Sequence, residues 1–555
     1  MSDARIGQGK KHASVRINIL FVLFLCAALA IAGKLAMVQI PEYVQRAATA
    51  VGSGEREENP LERGEFFLTD RHGTLTPLAA NTDLFTIFVD PRMMSDEATV
   101  AHALAEALHI PADTIAAKIA KRDDPYEVIA TRVPENVADG IRARNISGVG
   151  FTAERGRSYP YRAAAAHLSG FLNLGFDPPR GQYGLEEWYN DALGRVSGSR
   201  RVEQMVLSVD PDVQFVVTDA LTDVVARFQA TGGSGIVLEP ATGRVLGMAN
   251  VPSYDPNAYG EVADIGVFRN AAVASQYELG SVFKPITMAI GLNEKVITPD
   301  TTYTDTGQVV FGSYVISNFD GKAHGVNTMT QVLEHSLNTG VVFVEQQLAK
   351  DTIRAYIRNF GFGATTGIDL AGEVAGNTSN LNKDKDLEFA NASFGQGIAV
   401  TPLQLATAIA AIANGGTLMT PHVVDTIRYV DGSVEVITPH TVRRVITPAT
   451  ARQLTQMMVS TVEQGYDTVT IKDYFVAGKT GTAQIPDPER RGYSEDAIHS
   501  FVGFAPAYRP RFVVLLTMQR PQGIRFASES LAPVFSDVMS YLLTHYEVPP
   551  DIKNP

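Results

Sequence analysis

Residues 234–249 read SGIVLEPATGRVLGMA, two mostly apolar runs, Ser234 to Glu239 and Arg244 to Ala249, on either side of the turn Pro240-Ala241-Thr242-Gly243. Short apolar runs broken by a Pro/Gly turn predict a β-hairpin. A second pair of the same kind lies far away in the chain, Phe501 to Phe504 and Phe512 to Met518 around Pro506 to Pro510. Between the two pairs the apolar residues recur at helical spacing, as in Gln404 to Ala413, which Asn414-Gly415-Gly416 closes. Strands at both ends with helices between them predict an antiparallel sheet assembled from distant segments and packed with helices, an α+β arrangement.

Outward from this region, residues 41–206 read as a mixed module without a cluster of catalytic residue types. Leu84 to Val89 is β-rich, Val100, Leu104 and Leu108 share a helical face, and Asp113 to Lys121 reads as another helix. Further back, Arg5, Lys10, Lys11 and Arg16 precede an apolar run over residues 17–40, long enough for a helix to cross about 30 Å of hydrocarbon. The basic flank predicts a cytoplasmic tail of residues 1–16 and an extracytoplasmic body on a single anchor. A cleaved signal peptide is the rival reading, since Ala28-Leu29-Ala30 satisfies the small-residue cleavage pattern.

Composition narrows the function. With 555 residues, 45% hydrophobic and 19% charged, the chain is ordinary globular protein. A net charge of -13 argues against a general nucleic-acid binder. Cys26 is the only cysteine, which excludes intramolecular disulfides and cysteine-rich metal sites.

Three short motifs carry the chemistry. In Gly280-Ser281-Val282-Phe283-Lys284-Pro285, the proline pins a helix start near Ser281, and Lys284 follows on the same face one turn later. A lysine desolvated by the apolar residues around it is a base for the serine hydroxyl. In Ser336-Leu337-Asn338, two polar side chains alternate around a leucine, suited to proton relay by Ser336 and an amide hydrogen bond from Asn338. In Lys479-Thr480-Gly481-Thr482, on a strand expected from Tyr474 to Ala483, a cation, two hydroxyls and a glycine make a receptor for a carboxylate laid along the strand. A bare Ser-x-x-Lys arises by chance about twice in such a chain, whereas Lys-Thr-Gly arises about 0.1 times. The ordered set is what carries weight.

With these motifs the chain resembles the penicillin-binding protein transpeptidases of class B. Further similar landmarks are Arg63-Gly64, Asp70-Arg71-His72-Gly73, Arg157-Ser158-Tyr159-Pro160, Gly184-Leu185-Glu186, Gly367-Ile368-Asp369-Leu370, Phe394-Gly395-Gln396-Gly397 and Thr401-Pro402. The sequence departs from the pattern at Leu279, where a proline is common, and by two extra residues between Gly64 and Asp70.

The resemblance implies a penicillin-binding transpeptidase fold over residues 207–549, an antiparallel sheet sandwiched by helices. A non-catalytic dimerisation or pedestal domain at 41–206 and one transmembrane helix precede it, and a tail at 550–555 follows. It implies a serine D,D-transpeptidase of peptidoglycan: Ser281 as nucleophile, Lys284 as base, Ser336 as proton relay and Asn338 on the acyl-side amide. Lys479, Thr480 and Thr482 would hold the terminal carboxylate around Gly481, and the N–H groups of Ser281 and Thr482 would face the oxyanion. No cofactor or metal is called for. The expected partners are peptidoglycan stem peptides, β-lactams, a polytopic membrane glycosyltransferase and divisome proteins, with no nucleic acid. The place is the bacterial cytoplasmic membrane, with a septal role favoured by the compact non-catalytic region. An elongation-type transpeptidase, a D,D-carboxypeptidase, a β-lactamase and a non-enzymatic penicillin sensor or scaffold are the other readings.

Overall fold

A computed structural model describes residues 63–94, 96–121, 125–194, 200–487 and 492–551. The apolar run at 17–40 lies outside these residues, and no described helix is long and apolar enough to cross a membrane.

The N-terminal module is built on β1 (Glu65–Thr69), β2 (Leu75–Val89), β3 (Glu127–Pro134), β4 (Val149–Ser158) and β5 (Val202–Leu207). β2 is far longer than the expected Leu84–Val89 because it serves several partners. Its first third pairs with β1, its last third with β3, and Ala80 to Val89 with β4, all antiparallel. Pro77, Asn81 and Asp83 give this stretch little β-propensity of its own, and pairing overrides it. Helices α1 (Glu97–Leu108), α2 (Ala112–Ile119) and α3 (Glu135–Arg142) supply Val100, Leu104, Ile115, Ile119 and Ile141 to a core against Ile87 and Val89. β5 pairs in parallel with β1 and antiparallel with Val424–Tyr429, which pairs in turn with Val434–Val436, so strands from the C-terminal half extend this sheet.

Three of the sequence landmarks of this module converge on one carboxylate. Glu186, wholly buried, accepts from Arg63 Nε at 3.0 Å, from Arg157 Nε at 2.7 Å and from the Tyr159 hydroxyl at 3.2 Å. Arg157 also donates to the Gly64 carbonyl at 2.7 Å. Two cations around one buried carboxylate, each with further hydrogen bonds, are the condition under which a buried charge is tolerated.

The C-terminal region starts with α4 (Pro211–Arg227), which Asp210 caps by accepting from the Asp212 and Val213 N–H groups. The expected hairpin is present as β6 (Gly232–Leu238) and β7 (Val245–Val251). Along the chain follow α5 (Lys284–Asn293), α6 (Asn338–Gln346), α7 (Pro402–Ala413) and α8 (Pro448–Gly465). The chain then forms β8 (Ala477–Pro486), β9 (Tyr493–Ala505), β10 (Phe512–Gln519) and α9 (Ala532–His545). The five strands form one antiparallel sheet in the order β8-β9-β10-β6-β7, joining the two distant hairpins as expected.

Successive side chains of the central strands enter different cores, as the period of two requires. Val237, Val514 and Leu516 pack with Val217 and Leu221 of α4 and Phe535 and Leu542 of α9. Ile236, Val513 and Leu515 lie in the opposite core with Leu405 and Ile409 of α7. The sheet is therefore sandwiched by helices, and β8 is one of its two edge strands.

Boundaries differ from the sequence reading where tertiary contacts decide them. β8 begins at Ala477 instead of Tyr474, because the Tyr474–Phe475 backbone is taken up elsewhere. The Tyr474 N–H donates to the Ile471 carbonyl at 3.2 Å, the Phe475 N–H to Asp551 Oδ2 at 3.1 Å, and the Phe475 carbonyl accepts from the Ala507 N–H at 2.9 Å. The second helix of the N-terminal module spans Ala112–Ile119 instead of Asp113 to Lys121.

Candidate active site

The Ser281 segment is a single 3-10 turn, Gly280–Phe283, that feeds directly into α5 at Lys284, so the α-helix starts three residues after the serine rather than at it. Gly280 enables the turn: its φ is +59°, and a Cβ there would meet Ala483 of β8 at 3.1 Å. The Phe394-Gly395-Gln396-Gly397 landmark underlies the same point, with the Gly280 N–H donating to the Gly395 carbonyl at 3.1 Å. From the other side, Gly481 brings β8 against the turn, where a Cβ would stand 2.9 Å from Val282 Cγ1 and 3.1 Å from the Leu279 carbonyl. Ser281 is left half-buried between these elements, whereas every residue from Val282 to Leu292 on the following helix is buried.

Lys284 Nζ donates to the Ser336 carbonyl and, at 3.2 Å, to Ser336 Oγ. The structure thus brings the first and second motifs together through the lysine. Burial lowers the Lys284 pKa well below the ordinary lysine value, and the nearby charge of Lys479 lowers it further, which makes the neutral amine accessible. The third motif joins through that same pair of lysines, both with no exposed surface.

Ser336 lies in a turn, and Asn338 at the start of a helix. Ser336 adopts the left-handed backbone with φ of +53°, a state that costs a non-glycine residue about 1–3 kcal/mol and is retained where the surroundings impose it. Asn338 opens α6 and donates from Nδ2 to the Ser317 carbonyl at 2.9 Å. Behind them lies a buried network invisible in the local sequence. The Thr339 hydroxyl donates to Asp305 Oδ1 at 2.8 Å, and Asn318 Nδ2 donates to Asp305 Oδ2 at 2.8 Å. Burial would raise the Asp305 pKa, but hydrogen bonds from the Gly307 N–H, Thr339, His324 and Asn318 hold it below the usual carboxylate value. An ionised carboxylate behind the N-terminus of α6 fits the helix dipole and fixes the loop that carries Ser336. His335 is exposed and stacks on His324 at 6.0 Å.

On β8, Lys479 is buried and Thr480 and Thr482 are half-buried two residues apart on one face. Thr482 Oγ1 accepts from the Ala527 N–H at 3.2 Å. Lys479 and Thr480 both contact a residue with no place in the motifs, Tyr466, which follows α8. Burial would raise the Tyr466 phenol, but the Lys479 charge and these hydrogen bonds bring it below its ordinary value. Neither Tyr466 nor Asp305 belongs to a short motif, and both stand among polar residues that give no local cue to the role.

Glu373, a carboxylate in the interval between the second and third motifs, is engaged in its own turn. It accepts from the Thr366 N–H at 2.6 Å, the Thr366 hydroxyl at 2.5 Å and the Gly367 N–H at 3.1 Å. Nearby Asp369 likewise accepts from the Val423 and Val424 N–H groups at 2.7 and 2.9 Å.

The arrangement sets a half-buried serine one turn before a buried amine, with a second hydroxyl on that amine and a hydroxyl-lined strand edge, groups suited to acyl transfer. Comparison with known proteins agrees. Residues 233–540 match the family model of the penicillin-binding protein transpeptidase domain, and residues 58–208 that of the penicillin-binding protein dimerisation domain. The chain is similar to the stage V sporulation protein D of Bacillus subtilis, 31% identical over 97% of this chain and 87% of that protein. It is also similar to the peptidoglycan D,D-transpeptidase FtsI of Escherichia coli K12, 30% identical over 87% of this chain and 84% of that one. Among solved structures it resembles penicillin-binding protein 3 of Mycobacterium tuberculosis in its apo form, with a TM-score of 0.66 and 30% identity over 72% of this chain and 92% of that chain. The aztreonam complex of that protein gives a TM-score of 0.69 at 26% identity, covering 89% and 98%.

Proposed function

The chain belongs to the class B penicillin-binding proteins, and from that we propose a peptidoglycan D,D-transpeptidase that works through an acyl-enzyme on Ser281. The observation that carries the reading is the buried Lys284 amine, hydrogen-bonded to Ser336 and pressed toward its neutral form by burial and by Lys479. Neutral Lys284 takes the Ser281 hydroxyl proton as Oγ attacks the carbonyl between the two terminal D-alanines of a stem peptide. The C–N bond then breaks. The proton passes from Lys284 through the Ser336 hydroxyl to the departing D-alanine amine, which leaves Lys284 neutral. An amine from a neighbouring strand next attacks the ester, loses its proton by the same path and regenerates Ser281, forming the cross-link.

Asn338 holds the acyl-side amide, and Thr480, Thr482 and Lys479 hold the terminal carboxylate along β8. The N–H groups of Ser281 and Thr482 face the developing oxyanion. β-Lactams enter the same route and stop at the acyl-enzyme; the likeness to a relative complexed with aztreonam supports β-lactam binding.

Residues 17–40 anchor the chain in the bacterial cytoplasmic membrane with the catalytic region outside, and residues 41–206 dock a polytopic glycosyltransferase and divisome proteins. Septal wall synthesis is the process that the compact non-catalytic region favours. The test supplies the full chain in detergent with polymerised lipid-linked precursor and reads the products by mass spectrometry. Dimeric muropeptides that vanish in Ser281→Ala support the reading. Trimmed monomers alone would make the enzyme a D,D-carboxypeptidase, and no Ser281-dependent product would leave a scaffold. Depletion in the host that gives filaments supports the septal role, and round cells would move it to elongation.

A further inference from the structure

Tyr466 lies just past the end of α8 and has 8% of its surface exposed, its ring edge-on to Phe501 at 5.9 Å. Three groups of the carboxylate-binding motif meet at its hydroxyl oxygen. Lys479 Nζ lies at 3.0 Å, the Thr480 N–H at 3.3 Å and Thr480 Oγ1 at 2.8 Å.

Their donor and acceptor capacities fix the directions. An ammonium and a peptide N–H only donate, so together they occupy both lone pairs of a phenol oxygen. The single phenol hydrogen is then left for Thr480 Oγ1, which accepts it. Thr480 must consequently turn its own hydrogen away from Tyr466. Its half-buried side chain shares the face of β8 with Thr482, the side along which a substrate carboxylate is bound in the reading above. Lys479 is held at the same time by its bonds to Tyr466 and to the Thr480 carbonyl, the latter at 3.2 Å.

We infer that Tyr466 is a positioning residue for substrate recognition: it orients the Thr480 hydroxyl as a donor to the terminal carboxylate and fixes Lys479 behind it. The inference rests on the proposed transpeptidase reading, and it assigns to Tyr466 a part in selecting substrates that end in a free carboxylate. Phenylalanine keeps the ring and its packing and removes only the oxygen, which separates orientation from structural support.

The test follows acylation of the full chain in detergent by benzylpenicillin and by its methyl ester, using intact mass against time. The wild type should prefer the free acid. Tyr466→Phe should react with the ester at the wild-type rate and with the acid about tenfold more slowly, the scale of one hydrogen bond to a charged group. Placed on Thr480→Ala, the same change should cost less than it does on the wild type, because the two act through one hydroxyl. Equal slowing with acid and ester would reduce Tyr466 to packing, and an unchanged preference would deny it any part; either outcome overturns the inference alone. A wild type that neither compound acylates would instead bring down the transpeptidase reading, and this inference with it.

Discussion

Lys284 Nζ donates to Ser336 Oγ across 3.2 Å while having no exposed surface of its own. An amine in that position serves as a base only when neutral, so acylation should rise with pH through its pKa. Burial first, and Lys479 second, put that pKa well below the ordinary 10.5. The rising limb of the acylation rate with benzylpenicillin should accordingly lie far below pH 10.5. Lys479→Met removes a repelling charge and should move the limb upward in addition to slowing the reaction; a limb that stays put or moves down would contradict the coupling of the two lysines.

The penicilloyl adduct should outlast its formation by hours, because Glu373 is spent on three hydrogen bonds within the Thr366–Gly367 turn and is not aimed at water. Glu373→Gln should leave the release rate within about twofold and lower stability by about 1–3 kcal/mol through the lost acceptor. A chase experiment after labelling measures the release. Turnover in seconds that depends on Glu373 would make the chain a drug-hydrolysing enzyme.

The parts of the site legible in sequence were those whose chemistry is local. Ser281 and Lys284 are one turn apart, Ser336 and Asn338 flank one leucine, and Lys479 to Thr482 are contiguous, so spacing alone placed each set. Gly481 had a readable meaning too, since a glycine in a strand marks the close approach of another backbone. What escaped was set by tertiary pairing. Tyr466 reaches Lys479 only because α8 ends beside β8, and Asp305 reaches Thr339 only because the strand Thr302–Asp305 packs against the start of α6. The N-terminal half of β2 escaped for a related reason, since Pro77 and Asn81 disfavour a strand until β1 and β4 pair with it.

Glu186→Gln should be among the most damaging single changes in the N-terminal module. It keeps the shape of the side chain and leaves Arg63 and Arg157 as buried cations without a counter-charge. Breaking a buried pair in this way costs about 3–5 kcal/mol. Chemical denaturation should show it as an early first transition, while the folded fraction is still acylated at the wild-type rate. An unchanged denaturation curve would mean that the cluster contributes specificity without stability.

Two buried histidines should make the fold acid-sensitive. Burial holds His167 and His499 at about 4, below the ordinary 6.5. The unfolded chain therefore binds more protons than the folded one between those values, and stability, complete above pH 6.5, falls as pH drops toward 4. Each histidine accounts for a loss on the order of 3 kcal/mol. Thermal midpoints measured across this range should decline, and His499→Gln should flatten the decline. A stability that is level down to pH 4 would show that both rings protonate freely in the folded state.

The most direct check on the acyl-enzyme is peptide mapping of the full chain after reaction with benzylpenicillin. A single penicilloyl group should be found on the peptide containing Ser281, and Ser281→Ala should carry none while keeping its thermal midpoint within a few degrees. Label on any other residue, or label that persists in Ser281→Ala, would contradict the assignment of Ser281 as the nucleophile.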